Sequence, residues 1–258
     1  MIGGQKDAGM KKWKVMGQRF SGVIVFTMLF LVLTGAAPAP QPLEVVAPGG
    51  GEIDFQSNIA KYYADGASLV EAHWTDYLFT AEYIEVNRDL QTVQGHGKVK
   101  ITQNPDKIRE LLCNEFIYDR HRDFLTASGG VNFHSDQDSS FSGGRFEWDR
   151  KSDSFKLEEQ PKVIYQDWVI RGSRMDGQVV KGLLNVYGAA EATNGEMTAS
   201  GGLMILNRET NKLIVRENPV VIQRKNEMTA KEITYDLKTK KVAAIGPVKS
   251  RIIDEEQH

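Results

Sequence analysis

The chain has 258 residues, of which 41% are hydrophobic and 26% charged, a globular composition that excludes a disordered or collagen-like polymer. Removing residues 1–39 takes away five of the 32 basic and one of the 34 acidic side chains, leaving 27 against 33 and a net charge of −6. That balance excludes a partner held mainly through phosphate contacts, so no nucleic acid is expected. Cys113 is the only cysteine, so no internal disulfide can form and strand pairing and burial must hold the fold.

In chain order, the first element is an export signal. Lys11, Lys12, Lys14 and Arg19 precede an apolar run from Gly22 to Leu33, and small residues follow in TGAAPAP. This is the layout of a secretory signal. It is cleaved near Ala36 or kept as a membrane anchor, since Phe20–Ala37 is about long enough to span. No cysteine follows the run, so it is not a lipoprotein signal. Residues 40–52, rich in proline and then glycine, read as a linker. The expected domains are 1–39 signal or anchor, 40–52 linker, 53–252 a single β domain and 253–258 a polar tail.

The β domain repeats itself. The words IEVNRDLQTV, FIYDRHRDFL, RFEWDRKSDSF, MILNRETNKL and ITYDLKTKKV place an Asn or Asp at 87, 119, 149, 207 and 236. The gap of 58 between 149 and 207 holds a degenerate copy, WVIRGSRMD, anchored at Asp176. About six units result, with a weaker one expected around residues 62–74.

Parity within the units is constant. Apolar side chains stand three and one residues before the anchor: Ile84 and Val86, Phe116 and Tyr118, Phe146 and Trp148, Met204 and Leu206, Ile233 and Tyr235. Six after it come Val93, Leu125, Phe155, Leu213 and Val242. Counting on in twos gives Gly95-Gly97-Val99-Ile101 and Ala127-Gly129-Val131-Phe133, with polar residues between. Period 2 marks a strand with one apolar and one wet face. Each unit is therefore two strands joined by a polar turn, in which the Asn or Asp bonds the backbone two residues on. The arginines that follow (Arg88, Arg120, Arg150, Arg208) read as solvated turn residues. Pro161 and Pro219 are expected at an edge, a strand start or a bulge. No stretch past residue 60 has a helical stripe.

No reaction chemistry stands out. The histidines at 73, 96, 121, 134 and 258 have no metal-ligand spacing. His96 and His134 fall on the polar parity. No nucleophile elbow or phosphate loop occurs, and Glu158 and Glu159 point to opposite faces of a strand. Cys113 reads as a packed thiol, and no cofactor, metal or catalytic residue is expected. What remains is an apolar face: a plain β core, or a groove for an extended apolar ligand.

The unit "apolar-x-apolar-Asn/Asp, polar turn, apolar, Ala/Gly-x-Gly-x-Val-x-apolar", clearest in FIYDRHRDFLTASGGVNF and IEVNRDLQTVQGHGKVKI, resembles the OstA/LptA family of periplasmic lipopolysaccharide-transport proteins over about residues 60–250. The resemblance implies an open, twisted antiparallel β-jellyroll. It also implies a non-enzymatic role: the apolar face shields lipid A acyl chains, and domains join other Lpt bridge components, or copies of themselves head to tail, by edge-strand addition. On this reading Ile84, Val86, Val93, Phe116, Tyr118, Leu125, Phe146, Trp148, Phe155, Met204, Leu206, Leu213, Ile233 and Tyr235 form the lipid-binding face. A retained anchor would instead fit a related LptC-like docking subunit. An extracellular β-helix enzyme or adhesin is the remaining alternative.

Overall fold

A computed structural model describes residues 42–103, 109–136 and 139–253. The signal segment, the start of the linker and most of the tail lie outside them. The described residues are all-β, 22 antiparallel strands with no helix. They make fourteen passes, alternately up and down. Six passes are single strands: β7 (Thr92–Gln103), β8 (Arg109–Asp119), β9 (Phe124–Asp136), β10 (Ser139–Asp149), β15 (Leu183–Thr193) and β16 (Met197–Asn207). The others break in the middle. They are β1 (Glu44–Val46) with β2 (Gly51–Asp54), β3 (Ile59–Tyr63) with β4 (Val70–Trp74), and β5 (Tyr77–Ala81) with β6 (Tyr83–Asn87). Then come β11 (Ser154–Glu158) with β12 (Lys162–Tyr165), and β13 (Trp168–Arg171) with β14 (Arg174–Gln178). The last are β17 (Lys212–Arg216) with β18 (Val220–Gln223), β19 (Asn226–Thr229) with β20 (Glu232–Asp236), and β21 (Lys241–Ile245) with β22 (Lys249–Arg251).

Each pass contributes to two sheets. Sheet I runs from β2 through β3, β6 and one half of each long strand to β17, β20 and β21. Sheet II runs from β1 through β4, β5 and the other halves to β18, β19 and β22. The chain crosses from one sheet to the other at a bend in every pass. The result is an open antiparallel jellyroll whose two layers share one row of bends.

The bends follow a rule the sequence partly shows. In alternate passes the middle residues have positive φ: Gly97 and Lys98, Gly129 and Gly130, Glu159 and Gln160, Gly188 and Ala189, Glu217 and Asn218. In β7, β9 and β15 the register shifts there, the mark of an extra residue. The carbonyl of the first such residue accepts the backbone N–H of the neighbouring bend: Glu82 to Gly97 at 2.8 Å, Gly144 to Glu159 at 2.9 Å and Gly202 to Glu217 at 2.9 Å. Gly97 and Gly129 therefore sit at the bend and do not face inward, as the uniform counting in twos expected. Pro161 and Pro219 stand just before β12 and β18, after positive-φ pairs, where no ladder donor is lost.

The corners of sheet I are the repeated words. Asn87, Asp119 and Asn207 accept the N–H three residues on, and Asp54, Asp149 and Asp236 accept those two and three on. The residue before the next strand takes φ > 0, as Asn58, Gln91, Asp123 and Asn211 do, a conformation Asn and Asp tolerate best among non-glycines. Its carbonyl then accepts the N–H of the following corner: Arg88 to Asn58, Arg120 to Gln91, Arg150 to Asp123 and Leu237 to Asn211, at 2.8–3.1 Å. The repeat is a ladder of corners locked to one another.

Three expectations are corrected. The degenerate unit turns after Gln178, not at Asp176, whose carboxylate accepts bonds from Asn185 and Tyr187. Residues 62–74 are not a separate unit; they belong to the second pass, and the first corner is at Asp54. The stretch read as linker contributes β1 and the start of β2, because Leu43, Val45 and Ala47 pack against the core and Gly50 at φ 91° turns the chain.

Candidate functional site

All fourteen residues of the predicted apolar face point between the sheets, and none is more than 6% exposed. They lie on the sheet I halves of their passes. Opposite them stand residues the sequence reading did not select: Tyr77, Phe79, Leu111, Phe141, Trp168 and Ile170, all buried on sheet II. The reason is a change of parity. In β8 the inward residues are Leu111 and Cys113, then Phe116 and Tyr118; in β10 Phe141 is followed by Phe146 and Trp148. The alternation restarts at each such bend, and that local restart was the available signal.

Aromatic rings tie the layers together. Phe79 stacks on Phe116 at 5.2 Å, Phe133 on Phe146 at 5.7 Å and Phe141 on Phe155 at 5.5 Å. Such pairs add to the burial each ring contributes. Gly95 lets Phe116 lie flat on the sheet, since a Cβ there would meet the Phe116 ring at 2.6 Å. His96 and His134 face solvent as expected, and His96 stacks on Tyr83 at 4.7 Å.

Opposite the row of bends, the rims of the two sheets meet through side chains. Arg150, at a sheet I corner, reaches Asp76 at a sheet II corner (3.7 Å) and Asp123 on its own side (3.2 Å), and its guanidinium lies 4.4 Å over the Tyr77 ring. Tyr118 donates to Asp123 at 2.5 Å, and burial, then this bond, holds its phenol neutral. Arg150 is thus a clasp across the seam and not the solvated turn residue its position suggested. A second crossing pairs Trp168 with Tyr235 at 5.2 Å, and Arg208 lies 5.3 Å over Tyr165. Two small cavities, each about 10 Å³, lie along the seam, one lined by Phe141, Phe155 and Tyr165 and the other by Tyr77, Arg109 and Trp148.

The interior is lined by buried apolar side chains. Cys113, the one thiol facing it, is pushed up to about 12 by burial and bonds the Glu115 carbonyl. Its expected packing is what the structure shows.

No family model matches the chain, and no curated protein matches it. Among solved structures it is similar to the crystal structure of LptH, the LptA homologous periplasmic component of the lipopolysaccharide transport device from Pseudomonas aeruginosa. The likeness is 13% identical with a TM-score of 0.22, over 83% of this chain and 96% of that one.

Proposed function

We propose that the protein is a non-enzymatic carrier of lipid acyl chains, holding them between its two sheets, and that it works in the periplasm in lipopolysaccharide transport. The observation that carries this is the asymmetry of the interior. One side is continuous backbone at the bends; the other is a seam held by a few side-chain contacts around Arg150 and Trp168. Parting those rims exposes an apolar face that runs the length of the molecule without breaking a strand pair. An acyl chain laid there leaves water at about 0.8 kcal/mol per CH₂. Successive passes present near-equivalent surfaces, so sliding costs little. The repeated corner word and its resemblance to the OstA/LptA family supply the lipopolysaccharide part of the reading.

The ends fit a chain of such domains. β2 and β21 each lack a partner on their outer side among the described residues. Ile53 and Phe55 are exposed at one end, Ile245 and Val248 at the other. The inward residues Val45 and Val242 are less completely covered than the core. Edge-strand addition by Lpt bridge components or by further copies would cover both.

Photocrosslinking amino acids at 118, 148 and 155 should capture lipopolysaccharide in cells, and those at 96 and 98 should not. Capture only at 96 and 98 would place the ligand on the outer face and end this reading.

A further inference from the structure

The seam cavity lined by Tyr77, Arg109 and Trp148 holds three polar atoms with no hydrogen-bond partner among the described residues: the Tyr77 hydroxyl, Arg109 Nε and Trp148 Nε1. These are all the buried unpartnered side-chain polar atoms in the described residues, and they share one cavity. Unmet buried donors cost stability, so three in one place mark something the protein does not itself supply. The indole and guanidinium nitrogens only donate, and the Tyr77 phenol keeps its proton because burial raises its pKa. Arg109 also brings a charge. Its only side-chain partner among the described residues is Gln103, at 3.4 Å, and no described carboxylate pairs with it. The rest of the wall is apolar: Ile101, Leu111, Leu125 and Phe133. A volume of about 10 Å³ admits one oxygen.

We propose that this cavity receives the acyl oxygen of a bound chain, a carboxylate or the carbonyl of an ester or amide, and so fixes the polar end of the ligand at the seam. The inference rests on the acyl-carrier reading. The donors select an acceptor, the guanidinium selects a negative or strongly polarised one, and the apolar wall selects an oxygen that arrives on a hydrocarbon tail over a free inorganic ion. Arg150 lies 4.4 Å over the ring of Tyr77, which lines the cavity, and Asp76 precedes Tyr77 in the chain, so parting the clasp frees the Tyr77 side of the site.

The test compares laurate with dodecyltrimethylammonium, equal chains with opposite heads, both below micelle concentration, against Tyr77→Phe and Trp148→Phe. Each variant removes a donor and keeps an aromatic ring. The expected result is that laurate binds at least tenfold more tightly than the cation. Each variant should weaken laurate about five- to tenfold and leave the cation within twofold. The free Tyr77→Phe protein should be as stable as wild type or more so, since an unpaired buried hydroxyl is gone. Equal binding of the two amphiphiles, or variants that lose stability but not laurate affinity, would mean a site serving the fold or an internal water, and overturns the inference alone. Binding of neither amphiphile overturns both this and the acyl-carrier reading. Inorganic phosphate displacing laurate at equal concentration would show that the tail is not needed, and also overturns it.

Discussion

Phe146 is fully buried, stacked on Phe133 from the opposite sheet and 6.0 Å from Phe155. Truncating it leaves a hole that close-packed strands cannot fill. Phe146→Ala should lose about 3–5 kcal/mol in urea unfolding, and Phe146→Leu clearly less. Cys113 yields a pH prediction. Its folded pKa, near 12, lies above the ordinary 9.0. Above pH 9 the unfolded chain therefore binds fewer protons than the native one. Stability from this group is whole below pH 9 and declines as pH rises towards 12. Below that range the native thiol should react with a disulfide reagent only at the rate of unfolding. Phe146 was legible from sequence because its parity is counted from a nearby turn. Tyr77 and Arg109 were not, because their importance lies in which strand ends meet across the seam.

At the scale of the element, the corner and the bend each have a testable residue. Asp149 accepts the N–H groups of Lys151 and Ser152, and these bonds hold its carboxyl below the ordinary 3.8. A depressed carboxylate contributes stability above its unfolded value and loses it as pH falls through the folded one. Asp149→Ala should lower the melting temperature at pH 7. Asp149→Asn should retain most of it, because Oδ1 still accepts, and should flatten the acid limb below pH 4. At the bend, Gly129 and Gly130 both have positive φ, but a Cβ on Gly129 would meet the Asn114 Cβ at 2.6 Å while one on Gly130 meets nothing within 4 Å. Gly130→Ala should cost about 1 kcal/mol from backbone strain, and Gly129→Ala more, measured by the same urea titration. The corners could be read from sequence, as Asx chemistry is contained within a few residues. The bends could be read only in part: glycine marks some of them, but Glu159-Gln160 and Glu217-Asn218 take the same conformation without it.

For the whole molecule, the acyl-carrier reading requires the seam to open. Cysteines at 168 and 235 in a Cys113→Ala background, bridged by a short bis-maleimide, should abolish lipid capture. The same pair left unbridged should retain it. Unchanged capture in the bridged protein would mean that lipid does not enter by the seam. Substituting Arg150 by Met removes the clasp to Asp76 and Asp123; the paired charge is partly buried, so a loss of about 1–3 kcal/mol is expected, together with faster uptake of a fluorescent acyl probe. The terminal edges predict concentration-dependent association, and a charge placed at Ile245 should weaken it.

The sequence by itself determined the all-β class, the positions of most corners and the inward parity of the sheet I halves. These are local matters: period 2 and the Asx turn act within a few residues, and the chain repeats them. The tertiary structure decided what joins distant residues. It set the restart of parity at bends such as those of β8 and β10, where the chain passes from one sheet to the other. It took residues 44–46 and 51–52 from linker into strand, because pairing with β4 and β3 was available. It also brought Asp76 to Arg150, 74 positions apart, and gathered around one cavity three buried polar atoms that no described residue partners. Contacts between rims depend on how fourteen passes stack, and no single repeat contains that information.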